Sequence, residues 1–169
     1  WWSPRGLRIL GAPAEGETPL AALGELGAVV GDAGLVAGFL NQALEGYRGF
    51  VGKVVAATVE SDSSWSRVQT GAGLLRLCAL PRLLHLFRAL PPAATRGFAE
   101  NADAATLASY EKLLTAKLTS PSQQTQAALP TRLGGSGLLR FKELAAQAWL
   151  GSWLGTLPAV RVLAGPQLA

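Results

Sequence analysis

Apolar side chains recur along most of this chain three and four positions apart, the spacing that lines one face of a helix. The longest such pattern covers residues 33–59: Leu35, Phe39, Ala43 and Tyr47 form one row, with Leu40, Leu44, Val51, Val54 and Val55 alongside. Ahead of it, Thr18 and Pro19 pair a capping hydroxyl with a ring suited to the first helical position. They predict a helix to about Val30, weakened by Gly24 and Gly27. Gly31-Asp32 separates the two helices. Ser61 to Ser64 breaks the long pattern and caps a helix from Trp65 to Leu80, which Pro81 kinks or ends. Leu83 to Leu90 follows as helix and stops at Pro91-Pro92. Asn101 or Asp103 is the expected cap of a helix reaching Leu118, with Leu107, Tyr110, Leu113, Leu114 and Leu118 facing the core. Residues 120–128 read as a short helical turn or loop, and 129–138 (LPTRLGGSGL) as a glycine-rich turn. Arg140 to Leu157 is the last helix, with Phe141, Ala145, Trp149, Trp153 and Leu157 in one i,i+4 row. Strand signal is confined to residues 5–12. The expectation is a mainly α protein, an irregular bundle of about five to six helices with a short N-terminal strand or extended segment. It forms a single domain over 1–169, with 1–18 as lead-in and 19–169 helical.

Polar positions matter most between Gly71 and Pro92. On a helix wheel, Leu80, Leu83, Leu84, Phe87 and Leu90 share one face, while Arg82, His85 and Arg88 group on another, across about 120°. One face requires a core; the other suits water or an anion. From Ser63 to Ala99 the chain carries Arg67, Arg76, Arg82, Arg88 and Arg96 and no acid. The only cysteine, Cys78, reads as a small buried apolar residue, and His85 is the only histidine. An intramolecular disulfide, a cysteine-based metal site and a histidine-pair metal site are thereby excluded.

Charge refines this picture. Charged residues make up 15% of the chain, against about 25% in an ordinary soluble domain, and mean hydropathy is +0.27. Such a composition suits a chain that buries surface against partners or lipid. Residues 1–62 are net acidic and 63–169 net basic, within an overall charge of +4. A basic C-terminal part permits binding to nucleic acid or anionic lipid. Leu144 to Val160 is free of charge but at the short limit for a membrane span, and it holds Gln147, Gly151, Gly155 and Pro158. A buried amphipathic helix is the expectation there, with peripheral membrane contact through 144–160 as the alternative. No secretory signal is visible at Trp1-Trp2-Ser3-Pro4-Arg5, so the expected location is intracellular. The chain has no methionine and is expected to be a processed or partial product.

Catalytic motifs fail on chemistry. Gly11 to Thr18 has the spacing of a phosphate-cradling loop, but Glu17 stands where a lysine is needed, and a carboxylate there repels phosphate. Gly71-x-Gly73 lacks the third glycine of a dinucleotide fingerprint, and Gly134-Gly135-Ser136-Gly137 is no nucleophile elbow. Glu100 and Asp103 are explained by helix capping, and no carboxylate pair suggests two-metal chemistry. No catalytic residue, metal or cofactor is expected.

Four segments in order carry a resemblance. They are Gly6-Leu7-Arg8-Ile9-Leu10-Gly11; Gly38-Phe39-Leu40 to Tyr47-Arg48; Leu74 to Leu83 (LLRLCALPRL) with the closing Pro91-Pro92; and Leu129-Pro130 with Gly134-Gly135-Ser136-Gly137-Leu138. This order resembles the C-terminal, thumb-like region of reverse transcriptases encoded by non-LTR retrotransposons, over most of residues 5–157. The family's catalytic aspartates lie upstream of the matched region, and this chain has no such pair. The insert Glu15 to Asp32 is longer than the pattern has, and Ser136 interrupts an apolar position of the glycine turn. The resemblance implies a segment that holds primer and template without polymerising. Arg76, Arg82, His85, Arg88, Arg132 and Arg140 are then the residues expected to meet a nucleic-acid backbone. The alternative expectation is a non-catalytic structural or accessory subunit, packed against other protein subunits of a larger assembly, membrane-associated or not.

Overall fold

A computed structural model describes residues 33–59 and 64–164. The elements are α1 (Ala33–Val59), α2 (Ser64–Leu74), a π-helical turn (Leu75–Ala79), α3 (Pro81–Ala89), α4 (Pro92–Leu114), α5 (Pro121–Ala128), a 3₁₀ turn (Thr131–Leu133) and α6 (Phe141–Ala164). No strand occurs among the described residues, and the fold is a mainly α bundle. The strand over 5–12 and the helix from Pro19 to Val30 fall outside the described residues.

α1 is the spine. Val36, Leu40, Leu44, Tyr47, Val51, Val54 and Thr58 are buried at intervals of three and four, a continuous stripe against α4 and α2. α6 lies across α3 and α4, so α4 is covered by α1 on one side and by α6 on another. Where these layers meet, Phe87 stacks on Phe141 with ring centroids 5.2 Å apart and lies 5.7 Å from Phe98. Tyr47 meets Phe141 edge-on at 6.0 Å. Phe87 and Phe141 are fully buried. The Tyr47 hydroxyl lies 2.7 Å from Thr106 Oγ1, whose own proton goes to the Ala102 carbonyl at 2.9 Å. Thr106 therefore accepts, and Tyr47 donates. Burial pushes the Tyr47 phenol up to about 12.

Pro81 neither ends the helix nor leaves a loop. The Leu80 N–H reaches five residues back to the Leu75 carbonyl at 3.1 Å, and α3 starts with Pro81 in its first turn. The proline lacks the N–H that would continue an α ladder, and one wide turn absorbs the mismatch. This shifts the phase of α3. Leu80, Leu83, Leu86, Phe87 and Leu90 are buried, and Leu84, expected in the core, is half-buried. α6 packs on α3, where Phe87 stacks on Phe141, and the buried arc is rotated toward Leu86. Cys78, expected to be buried, is exposed on the wide turn beside Leu77.

Two other boundaries differ from expectation. Leu90 and Pro91 are extended, as residues preceding proline must be, but Pro92 opens α4 directly, nine residues before Asn101. At its far end α4 stops at Leu114, short of Leu118, because Thr115 turns left-handed at φ 54°. Glu111 pins the chain that follows, accepting from Lys117 Nζ at 2.7 Å and from the Leu118 N–H at 2.9 Å. Those two donors hold its carboxyl below the ordinary glutamate range. α5 then begins with a capping box between Ser120 and Gln123. α6 runs on through Pro158 to Ala164. Its expected core row is core only at the start: Phe141 and Ala145 are buried, Trp149 is half-buried, and Trp153 is 51% exposed. No helix among the described residues is long and apolar enough to cross a membrane.

Candidate functional site

The polar side chains of α3 emerge where the helix turns away from its leucines. Arg82, His85 and Arg88 are all exposed. Arg82 and His85 line an open groove of about 260 Å³ between α1 and α3, together with Phe39, Ala43, Gly46, Tyr47, Leu83 and Leu86. The Arg82 guanidinium carbon sits 3.9 Å above the Phe50 ring, a cation–π contact that fixes its head group at the groove's edge. Lys53, one turn beyond Phe50, is also exposed. Arg88 lies one turn further along α3.

The other expected cations lie elsewhere. Arg76 is on the π-helical turn and packs against the glycine turn: a Cβ on Gly137 would stand 2.7 Å from Arg76 Cδ, and Gly137 has φ +70°. Gly135 is as constrained, since a Cβ there would meet the Leu129 carbonyl oxygen at 2.1 Å. Ser136 between them hydrogen-bonds the Tyr110 hydroxyl and ties this turn to α4. Arg132 is exposed on the 3₁₀ turn. Arg140 is engaged by Glu143 at 3.3 Å and Thr125 Oγ1 at 3.4 Å.

Arg140 belongs to a junction built around Asp103. This aspartate sits in the middle of α4 and caps no helix of its own. Its two oxygens accept from the Phe141 N–H at 2.7 Å and the Lys142 N–H at 3.0 Å, so it caps α6 from another helix. Burial lifts the Asp103 carboxyl above the ordinary aspartate range, against the pull of both backbone donors. Beside it, Glu100 is held low by Lys142 Nζ at 2.9 Å, with Arg96 at 3.8 Å.

The charge pattern follows from these contacts. Every acid among the described residues is engaged: Glu45 by Arg48 at 2.7 Å, Glu100 by Lys142 and Arg96, Asp103 by α6, Glu111 by Lys117, and Glu143 by Arg140. Lys53, Arg76, Arg82, Arg88 and Arg132 have no carboxylate within ion-pair distance among the described residues. Among those residues, no group of three His, Cys, Asp or Glu side chains is placed to hold a metal ion.

No protein-family model, no curated protein and no solved structure matches this chain.

The groove thus offers exposed cations, an aromatic edge and no carboxylate. The sequence placed Arg82, His85 and Arg88 on one face because their spacing is local. Phe39 and Phe50 were missed as site residues: Phe39 read as a member of the α1 apolar row, and Phe50 was assigned no role. Phe50 and Lys53 at i,i+3 were the available signal, an aromatic and a cation on the same edge of one helix.

Proposed function

We propose that this chain is a non-catalytic helical module that holds a nucleic-acid backbone along α3, in the manner the thumb-like resemblance implies. The observation that supports it is the charge pattern: the acids are consumed by internal contacts, while Arg82, His85 and Arg88 face outward beside an aromatic groove. Phosphates are the natural partners of such cations, and contacts of this kind supply affinity without sequence preference. Arg76 and Arg132 extend the surface toward the glycine turn. Arg140 contributes least, because Glu143 already neutralises it.

A salt titration of labelled duplex against the wild type and the Arg82→Ala/Arg88→Ala variant tests this reading. The double variant is expected to bind more weakly to every sequence and to lower the log–log salt slope by up to about 1.8, near 0.9 per lost phosphate contact. Absence of salt-sensitive binding by the wild type removes the reading. A second reading, a structural subunit packed into a larger assembly, is favoured by the outer half of α6, where Leu150, Trp153 and Leu154 are each more than half exposed. On that reading the double variant leaves nucleic-acid binding negligible before and after.

A further inference from the structure

α6 is apolar on two opposite sides. Phe141, Ala145 and Ala148 turn toward the bundle. At about 100° per residue, Leu150, Leu154 and Leu157 fall on the far side, within about 60° of one another, with Trp153 at their edge. Leu150 is 52% exposed and Leu154 61%. A helix apolar all round is one whose second face is also covered.

The ends of this outer stripe identify the cover. Glu143 and Arg161 lie on the same line as the leucines, one at each end, and every residue from Leu144 to Val160 is uncharged. Glu143 and Arg161 are each nine positions from Ser152, about 13.5 Å along the axis at 1.5 Å per residue. Leu150 and Leu154 are each two positions from it. The stripe is therefore its own complement when turned end for end. In an antiparallel pair centred on Ser152, Leu150 faces the second copy's Leu154, and Glu143 faces the second copy's Arg161, twice over by symmetry. A parallel pair would set Glu143 against Glu143 and Arg161 against Arg161. Both charged side chains are exposed, and the Glu143 side chain is 68% accessible despite its contact with Arg140.

We infer that the outer stripe of α6 (Glu143, Leu150, Trp153, Leu154, Leu157, Arg161) is a homodimer seam, closed by a second copy of this chain running antiparallel about Ser152. The face points away from the bundle, so the two bundles lie on opposite sides of the helix pair and do not collide. A lipid surface fits less well: helices that lie on membranes carry lysines and arginines beside the apolar stripe, and here the flanks are Ala146, Gln147, Gly151 and Pro158. A single helix pair is a small interface, so association in the micromolar range is expected. The inference is independent of nucleic-acid binding.

Sedimentation equilibrium of the full chain between about 2 and 200 µM tests it, with Glu143→Arg, Arg161→Glu, the double charge swap and Leu154→Lys. The wild type is expected to pass from monomer to dimer over this range. Each single reversal makes both end contacts repulsive and is expected to weaken self-association about 10-fold, the equivalent of 1.4 kcal/mol. The charge swap restores the dimer, and mixing the two single variants yields a heterodimer of near wild-type strength. Leu154→Lys abolishes association without lowering Tm, since Leu154 is exposed in the monomer. A wild type that stays monomeric at 200 µM overturns the inference. In that case, a drop in Tm with Leu154→Lys assigns the stripe to residues 1–32 of the same chain, and binding to phosphatidylcholine–phosphatidylserine vesicles assigns it to lipid. A dimer indifferent to both charge reversals also overturns it, placing the contact on another surface.

Discussion

Asp103 holds α6 to α4 through two backbone hydrogen bonds that no local residue replaces. Replacing it with alanine strips the acceptor from the Phe141 and Lys142 N–H groups, bonded at 2.7 and 3.0 Å. Loss of a helix cap costs about 0.5–2 kcal/mol, and a hydrogen bond to a charged group contributes about 1.5–3. Two terms reduce the sum. Lys142 is exposed, so water reaches one freed N–H, and removing a buried carboxylate recovers the desolvation that raises its pKa. The expected cost of Asp103→Ala is about 2 kcal/mol, or roughly 4–8 °C in Tm for a chain of this size. Asp103→Asn keeps one acceptor and buries no charge, and its cost is expected to be about half as large. Thermal unfolding followed by circular dichroism gives the magnitude, and amide hydrogen exchange gives the place. Protection is expected to fall in the first turn of α6, while α1 and the second half of α4 retain theirs. An Asp103→Ala variant within about 0.5 kcal/mol of wild type, or one whose exchange rises first in α1, refutes this account of the junction.

Core truncations separate α3 positions that the helix wheel treats alike. Phe87→Ala is expected to cost about 3–5 kcal/mol and Leu86→Ala about 2–4, against about 1 for the half-buried Leu84→Ala, as read by urea denaturation. Equal losses at Leu84 and Leu86 contradict the rotated face. The Tyr47 phenol, raised from 10 to about 12, adds stability that is complete below pH 10 and is lost as pH rises toward 12, because the unfolded phenol ionises first. That window spans roughly 2–3 kcal/mol; Tyr47→Phe is expected to flatten it in alkaline melts, and an unchanged alkaline slope counts against the buried donor. Gly135→Ala sets a methyl group against the Leu129 carbonyl oxygen, and its Tm is expected to fall more than that of Gly134→Ala, where nothing stands within 4 Å.

What could be read from the residues alone was what depends on neighbours in sequence. The α1 stripe and the glycine turn are local patterns, and they stand in the fold at or near the positions expected, while residues 120–128, read as a short helical turn or loop, form a capped helix. Pro91-Pro92 ends one helix as expected, but it also starts the next, which the sequence placed at Asn101 or Asp103; tertiary packing of Thr95, Phe98 and Ala99 stabilises that earlier start. Asp103 looked like a cap for its own helix; its true partners are 38 and 39 residues away. The Trp153 row is regular in sequence, but regularity cannot tell which of its members extend past the neighbouring helices. At the candidate site, the α3 cations were legible and the Phe50 ring beneath Arg82 was not, for the same reason.

The wide turn at Leu75–Ala79 works as a phase adjuster between two otherwise continuous helices. One residue more or less in a helix turns everything beyond it by about 100°. Deleting exposed Leu77 would cost little burial of its own, yet it would swing Arg82, His85 and Arg88 around the axis and carry Leu83 and Phe87 out of the core. The length of this short segment is thus under tighter constraint than the identity of its exposed side chains. Substitutions at Leu77 and Cys78 are tolerable where a single-codon deletion is not.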